Sequence, residues 1–254
     1  MDLVEHKNKQ NESRHPWELA RLEVIFSLFQ KHLAEKNLEN ILDVGCGDTF
    51  VVSELRNRMP STHFYAIDPA FSDTMIADFQ QEGISLYQHL SQLEGNLKKA
   101  DLILLMDVIE HIEDDKSFLK DLVSKNYIKN DSLFLITVPA YQSLFSAHDV
   151  FLKHYRRYTP KHLLSTLKSS GFEIIESGNF FTSLLAPRII GLLKERMEGK
   201  KEAQGLASWQ GSEKQSKLLK EILLLDFKTT KNLQRLGIKL PGLSTYALCR
   251  KSVS

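Results

Sequence analysis

At 254 residues the chain has room for one sizeable hydrophobic core and reads as a single domain, 1–254, rather than two. Lys+Arg 33 against Asp+Glu 32 leaves a net charge of +1, so no global charge bias recruits nucleic acid, and none is expected as a partner. A disulfide framework is excluded by a content of only two cysteines, Cys46 and Cys249, and with no signal-like start and no apolar run of about 18 residues the expected location is the cytoplasm.

Residues 1–14 are polar and aperiodic and read as an arm. From Pro16, a good first-turn residue, Leu19, Leu22, Ile25, Phe26, Phe29 and Leu33 follow a helical stripe, so 1–38 forms an arm and a helix ahead of the first strand. Trp17 and Arg21 fall on one face of that helix. Ile41, Leu42 and Val44 form a buried strand that ends in Gly45 and Gly47, and a helical pattern follows through Val51, Val52 and Leu55. A strand, a glycine turn and a helix start make a cradle, because the backbone turns sharply and unpaired helical N–H groups face the same spot.

A second strand, His63 to Ile67, closes on Asp68-Pro69. Asp68 follows Gly47 at the spacing, roughly 20 residues, at which a parallel nucleotide-binding sheet places an acid to accept ribose hydroxyl hydrogen bonds; the alternative is an Asp-Pro turn. A helix around Thr74 to Gln81 stops at Gly83, and Ile84 to Tyr87 gives a third strand. Asp101 to Asp107 is a continuous apolar run between acids, the pattern of a strand covered on both faces. A helix from about Asp114 to Ser124 and a fifth strand from Ser132 to Val138 follow. Strands alternating with helices at this spacing describe an open, doubly wound α/β sheet.

Residues 140–160 crowd aromatic, imidazole and guanidinium groups into the connection after a strand's carboxyl end, where such sheets bind ligands. Tyr141, Phe145, Tyr155 and Tyr158 are the candidate substrate wall. His148 and His154 are candidate general bases, or else loop histidines bonded to backbone. A helix from Pro160 to about Ser170 precedes a sixth strand starting at Phe172, and Ser244 to Cys249 is the last strand. The intervening residues, 181–241, form a helical insertion that the sheet does not need. It reads as a cap on its own sheet or on the partner subunit of a homodimer, with a peripheral membrane contact through the amphipathic 180–197 stretch as the alternative. Residues 198–215 are rich in Lys, Glu, Gln, Gly and Ser and are expected to form a mobile loop.

Ile-Leu-Asp-Val-Gly-Cys-Gly at 41–47, Asp68, Leu105 to Ile112 and Gly171-Phe172 together resemble the motifs of the class I S-adenosylmethionine-dependent methyltransferases, over roughly residues 15–180 and the final strand. His15-Pro16-Trp17 with Arg21, and the 148–159 segment, resemble a subgroup acting on small metabolites and cell-envelope components. The resemblance implies a Rossmann-like seven-stranded sheet with helices on both faces, an antiparallel last strand and S-adenosylmethionine as cofactor. It places Gly45, Cys46 and Gly47 under the methionine part, Asp43 toward its amino group, Arg21 toward its carboxylate, Asp68 at the ribose and the Met106 backbone at the amino acid end, with Pro69 and His111 as further cofactor-binding residues. Thr49 departs from a third glycine and implies a wider turn, and His89-Leu90 stand where an acid usually meets the adenine. The implied reaction is O-methylation of a small aromatic, lipid-like or glycan-related acceptor, with His148 or His154 as base and Arg156 orienting an acidic acceptor. The rival is a non-catalytic subunit that keeps the fold for binding. A sulfonium methyl is already activated, so no metal is required, and Asp107, Glu110 and His111 read as helix-capping groups, with metal ligation as the lesser alternative.

Overall fold

A computed structural model of the protein describes residues 14–33, 38–198, 209 and 211–252. The expected arm lies outside these residues except for Arg14, as does most of the 198–215 loop.

Seven strands form one sheet in the order β3-β2-β1-β4-β5-β7-β6. They are β1 (Asn40–Val44), β2 (His63–Ile67), β3 (Ile84–Tyr87), β4 (Ala100–Met106), β5 (Ile128–Pro139), β6 (Phe172–Phe180) and β7 (Ser244–Lys251). The first five are parallel, whereas β7 runs antiparallel between β5 and β6. The apolar run in β4 is explained by its two covers. Leu102 and Leu104 pack with α1 (Pro16–Leu33) and Phe227, while Ile103 and Leu105 pack with Leu119, Leu122, Leu163 and Leu167 on the opposite face. Those four leucines belong to α4 (Asp115–Ser124) and α6 (Pro160–Ser169).

The helix starts follow local chemistry. Asp114 accepts the Ser117 amide at the start of α4, and Thr159 accepts the His162 amide at the start of α6, where Pro160 occupies the first turn. The helix after β1, α2, spans Phe50–Arg58; α3 is only Asp73–Asp78, shorter than its sequence pattern, because the chain leaves helical geometry at Phe79. Two strands outrun the sequence reading. β5 begins at Ile128, and β6 continues through Glu176-Ser177-Gly178-Asn179, residues of turn character that β7 nevertheless pairs. Asn179 donates to the Leu240 carbonyl and Thr245 to that of Gly178, so polar side chains support this stretch.

The 140–160 connection contains the short α5 (Ala147–Phe151). The insertion between β6 and β7 carries α7 (Leu185–Glu198) and α8 (Glu213–Arg235), the latter opened by a Ser212–Gln215 capping box. Leu223 and Phe227 of α8 join the core beside α1, so α8 packs on its own sheet layer. No helix among the described residues is long and apolar enough to cross a membrane.

Candidate active site

The strand order reverses between β1 and β4, and the carboxyl ends of β1, β2, β4 and β5 converge there, where an open α/β sheet forms its crevice. After β1 the chain turns at Gly45 (φ 74) and Gly47 (φ 59). The amides of Gly45 and Cys46 donate to the Ile67 carbonyl at 2.7 and 3.0 Å, and the Gly47 amide donates to Asp68 Oδ2 at 3.0 Å. Asp68 Oδ1 accepts the Ala70 amide at 2.9 Å. A Cβ on Gly45 would stand 2.8 Å from Val108 Cγ2, so only glycine lets the β1 and β4 ends approach this closely. Thr49 takes the left-handed conformation itself, φ 59 and ψ 2. Thr49 thus occupies the backbone region that glycine favours.

One cavity of about 820 Å³ opens on this crevice. Of the residues assigned to cofactor binding, Arg21, Gly45, Gly47, Asp68, Pro69, His89, Leu90, Met106 and His111 line it. Asp43 and Cys46 lie behind the lining. Asp43 is 0% exposed, both its oxygens lack a hydrogen-bond partner among the described residues, and burial pushes its pKa up to about 7. The Cys46 thiol is likewise pushed up, by burial and then by Asp43, and its side chain packs in the buried core. Arg21 pairs with Asp107 at 2.9 Å and donates to Thr137 Oγ1 at 3.1 Å, an internal anchor that the sequence did not announce.

At the far end the lining passes to His148, Leu152, His154, Arg157 and Arg188. Asp149, 0% exposed, is their hub. It accepts from His154 Nδ1 at 2.9 Å, Arg157 Nε at 2.7 Å, the Ser146 amide at 2.9 Å and Arg188 of α7 at 3.1 Å. Burial alone would raise its pKa, but the bonds from His154 and Arg157 outweigh that and hold the carboxyl well below the usual carboxylate range.

Several assignments in this segment need correction. Arg156 turns away from the cavity, donating to the Glu113 carbonyl at 2.6 Å and pairing with Asp115 at 3.0 Å. Tyr158 is a core residue, its hydroxyl donating to Asp115 at 2.5 Å. Tyr155 is exposed beside Arg156, and neither Tyr141 nor Phe145 is among the lining residues. The physical reason is the bridge between Ala140 and Tyr158, which fixes the direction of this extended stretch: His154 and Arg157 face inward while 155 and 156 face out. A wall of aromatic residues was the wrong reading of the composition. Part of the apolar lining comes instead from Phe181, Leu184, Pro187, Leu219, Leu223 and Leu243, all in or beside the insertion, and part from Trp17, Val108, Ile112 and Phe118. The signals for the polar wall were Asp149 between two histidines and the lone Arg188 in an apolar run.

Between the two ends, Glu110 is 0% exposed and neither carboxylate oxygen has a hydrogen-bond partner among the described residues. Burial, then Asp107, pushes its pKa well up. The His111 and His154 rings meet edge to face with centroids 4.5 Å apart.

Residues 17–177 match the model of a methyltransferase domain family. The chain belongs to that family, the class I S-adenosylmethionine-dependent methyltransferases, whose cofactor is S-adenosylmethionine. It is 31% identical over 109 residues to a ubiquinone biosynthesis O-methyltransferase of Rickettsia bellii, covering 41% of this chain and 45% of the relative. It is 28% identical over 120 residues to N-methyltransferase 4 of Papaver somniferum, covering 44% and 33%. These matches thus span less than half the length of the curated relatives. Among solved structures, the plantazolicin methyltransferase BpumL, crystallised with a monoazolic desmethylPZN analogue and S-adenosylhomocysteine, superposes with TM-score 0.55 at 18% identity, covering 94% of this chain and 85% of that one. The [4+2]-cyclase SpnF gives TM-score 0.55 at 14% identity, covering 96% and 86%. At such identities the likeness concerns the fold alone, and a cyclase on that fold shows that reaction type must be argued from the site.

Proposed function

We propose that the protein O-methylates a hydroxyl of a small aromatic, lipid-like or glycan-related acceptor. The observation that carries this reading is the single cavity joining the glycine turn and Asp68 at one end to His148 and His154 at the other. The residues present fit S-adenosylmethionine: Gly45 leaves a cradle that a Cβ would fill, and Asp43 is a buried carboxylate at the base of the turn without a donor among the described residues. Gly45, Gly47 and Met106 would hold the amino acid part, Asp68 and Pro69 the ribose, and His89 and Leu90 the base. When bound, S-adenosylmethionine supplies a methyl group on a positively charged sulfur, already activated for transfer to a nucleophile.

The chain's own task is then to align the acceptor and receive its proton. His148 is the residue we assign to that role. His154 is steered by Asp149, whose charge is shared with two guanidiniums, so that pairing orients the ring more than it strengthens it as a base. Leucines 184, 219 and 223 and Pro187 give the acceptor an apolar cover, and Arg157 and Arg188 offer it cationic edges in place of Arg156. The Rickettsia O-methyltransferase supports oxygen as the acceptor atom, and the Papaver N-methyltransferase keeps nitrogen as a second reading.

The test is turnover of methyl-labelled cofactor against a panel of hydroxylated and amino acceptors, with calorimetry of S-adenosylhomocysteine. Binding without turnover on any acceptor favours the non-catalytic subunit, and no binding removes the enzyme reading. Replacing His148 by Ala should lower the rate by about 100-fold or more with cofactor affinity nearly intact; an unchanged rate takes the base assignment away.

A further inference from the structure

We infer that Glu110, His111 and His154 form a binding site for a divalent first-row transition-metal ion in the wall of the cavity. Each offers one ligand atom, and the three atoms lie within 4.8 Å of one another. Glu110 and His111 stand in the 3-10 turn just after β4, Ile109–His111, and His154 follows α5, so two separate segments supply the set.

Three observations carry the assignment beyond proximity. The first is Glu110, wholly buried with both oxygens lacking a hydrogen-bond partner among the described residues. A carboxylate in that position requires either a proton or a cation, and helix capping, the role its sequence position suggested, is not what it does. The second is the hold on His154. Asp149 takes the Nδ1 hydrogen at 2.9 Å and is itself fixed by Arg157 and Arg188, which leaves Nε2 as the lone-pair nitrogen. A carboxylate behind an imidazole in this way sets the tautomer and aim of a metal-bound histidine. The third is access, since His111 and His154 both line the cavity and an ion can enter through it.

Two imidazoles and one carboxylate suit zinc, cobalt, iron or manganese and leave positions open, whereas magnesium and calcium favour oxygen donors. If the cavity transfers methyl groups as proposed, an ion here stands at the acceptor wall, where it would draw charge from an acceptor oxygen while His148 receives the proton. That consequence rests on the methyltransferase reading; the ion site itself does not.

The experiment titrates Co²⁺ into the untagged, chelator-treated full chain, followed by visible d–d absorption and by calorimetry, with S-adenosylhomocysteine calorimetry in parallel and circular dichroism to check folding. Saturation at one ion per chain is expected. Glu110→Gln and His154→Ala should each weaken binding by on the order of 100-fold, and His148→Ala should leave it unchanged. Affinity should also fall as the medium is acidified, because binding displaces protons from the ligands. Absence of Co²⁺ binding in a chain that still binds S-adenosylhomocysteine overturns the site and leaves the proposed function standing. Equal Co²⁺ binding by the parent chain, Glu110→Gln and His154→Ala overturns it too, by placing the ion elsewhere. Ion binding lost in those two variants, in a chain that fails to bind S-adenosylhomocysteine, supports the site and removes the proposed function instead.

Discussion

Thr49 holds φ 59 and ψ 2, a backbone conformation that a β-branched side chain resists by about 1–2 kcal/mol. The turn around it is fixed by amides bonded to Ile67 and Asp68, so the strain is imposed by neighbours and not chosen by the residue. Thr49→Gly should therefore stabilise the chain by about 0.5–1 kcal/mol, the relief being partly offset by the greater freedom of glycine when unfolded. A rise in the urea midpoint at unchanged slope would show it, and a fall would mean that the buried threonine packs better than its backbone sits. At this scale the sequence told much about the cofactor end, because glycine and acid positions there are dictated by backbone geometry. It told less about 140–160. Nothing in the letters Tyr155-Arg156-Arg157-Tyr158 says that the second arginine faces the cavity and the first faces away.

Among elements, α5 and the extended stretch after it are organised by Asp149, which draws His154, Arg157 and, from across the insertion, Arg188 to one buried carboxylate. Removing that charge strands a buried guanidinium. Asp149→Asn should cost about 3–5 kcal/mol near neutral pH, as for breaking a buried ion pair from one side. Since the folded carboxyl titrates well below its unfolded value of about 3.9, this contribution is fully present above that value and declines as pH falls below it. Urea unfolding of the parent and the variant at neutral pH and below about pH 3.9 should thus give a stability gap that narrows only in the strongly acid range; a gap that stays constant there would mean that the charge is not what matters. The strands and most helices were legible because their periodicities reflect burial on one face or both. The tail of β6 was not, since Glu176 to Asn179 owes its extended form to β7, a partner about 70 residues further along the chain. Helices α7 and α8 were visible as an insertion, but that their leucines line the cavity depends on tertiary packing alone.

For the molecule as a whole, the cofactor crevice is built from the ends of four central strands, so ligand binding there is coupled to the stability of the entire sheet. S-adenosylhomocysteine at about one hundred times its dissociation constant should add about 2.7 kcal/mol, equivalent to a melting midpoint about 5–10 °C higher. Scanning fluorimetry across a ligand series reads this directly. The same series on Gly45→Ala, whose new Cβ would meet Val108 at 2.8 Å, should show little or no shift; a full shift in that variant would show that the turn has room to give.

The two cysteines are both buried, at different depths of this architecture. Cys249 lies in β7, hydrogen-bonded between β5 and β6, whereas Cys46 lies in the turn that the ligand would cover. An alkylating reagent can reach the first only when the sheet comes apart, and the second as soon as that one turn loosens. The chain thus carries two clocks: the modification rate of Cys249 measures how often the whole fold opens, and that of Cys46 how often its binding loop breathes.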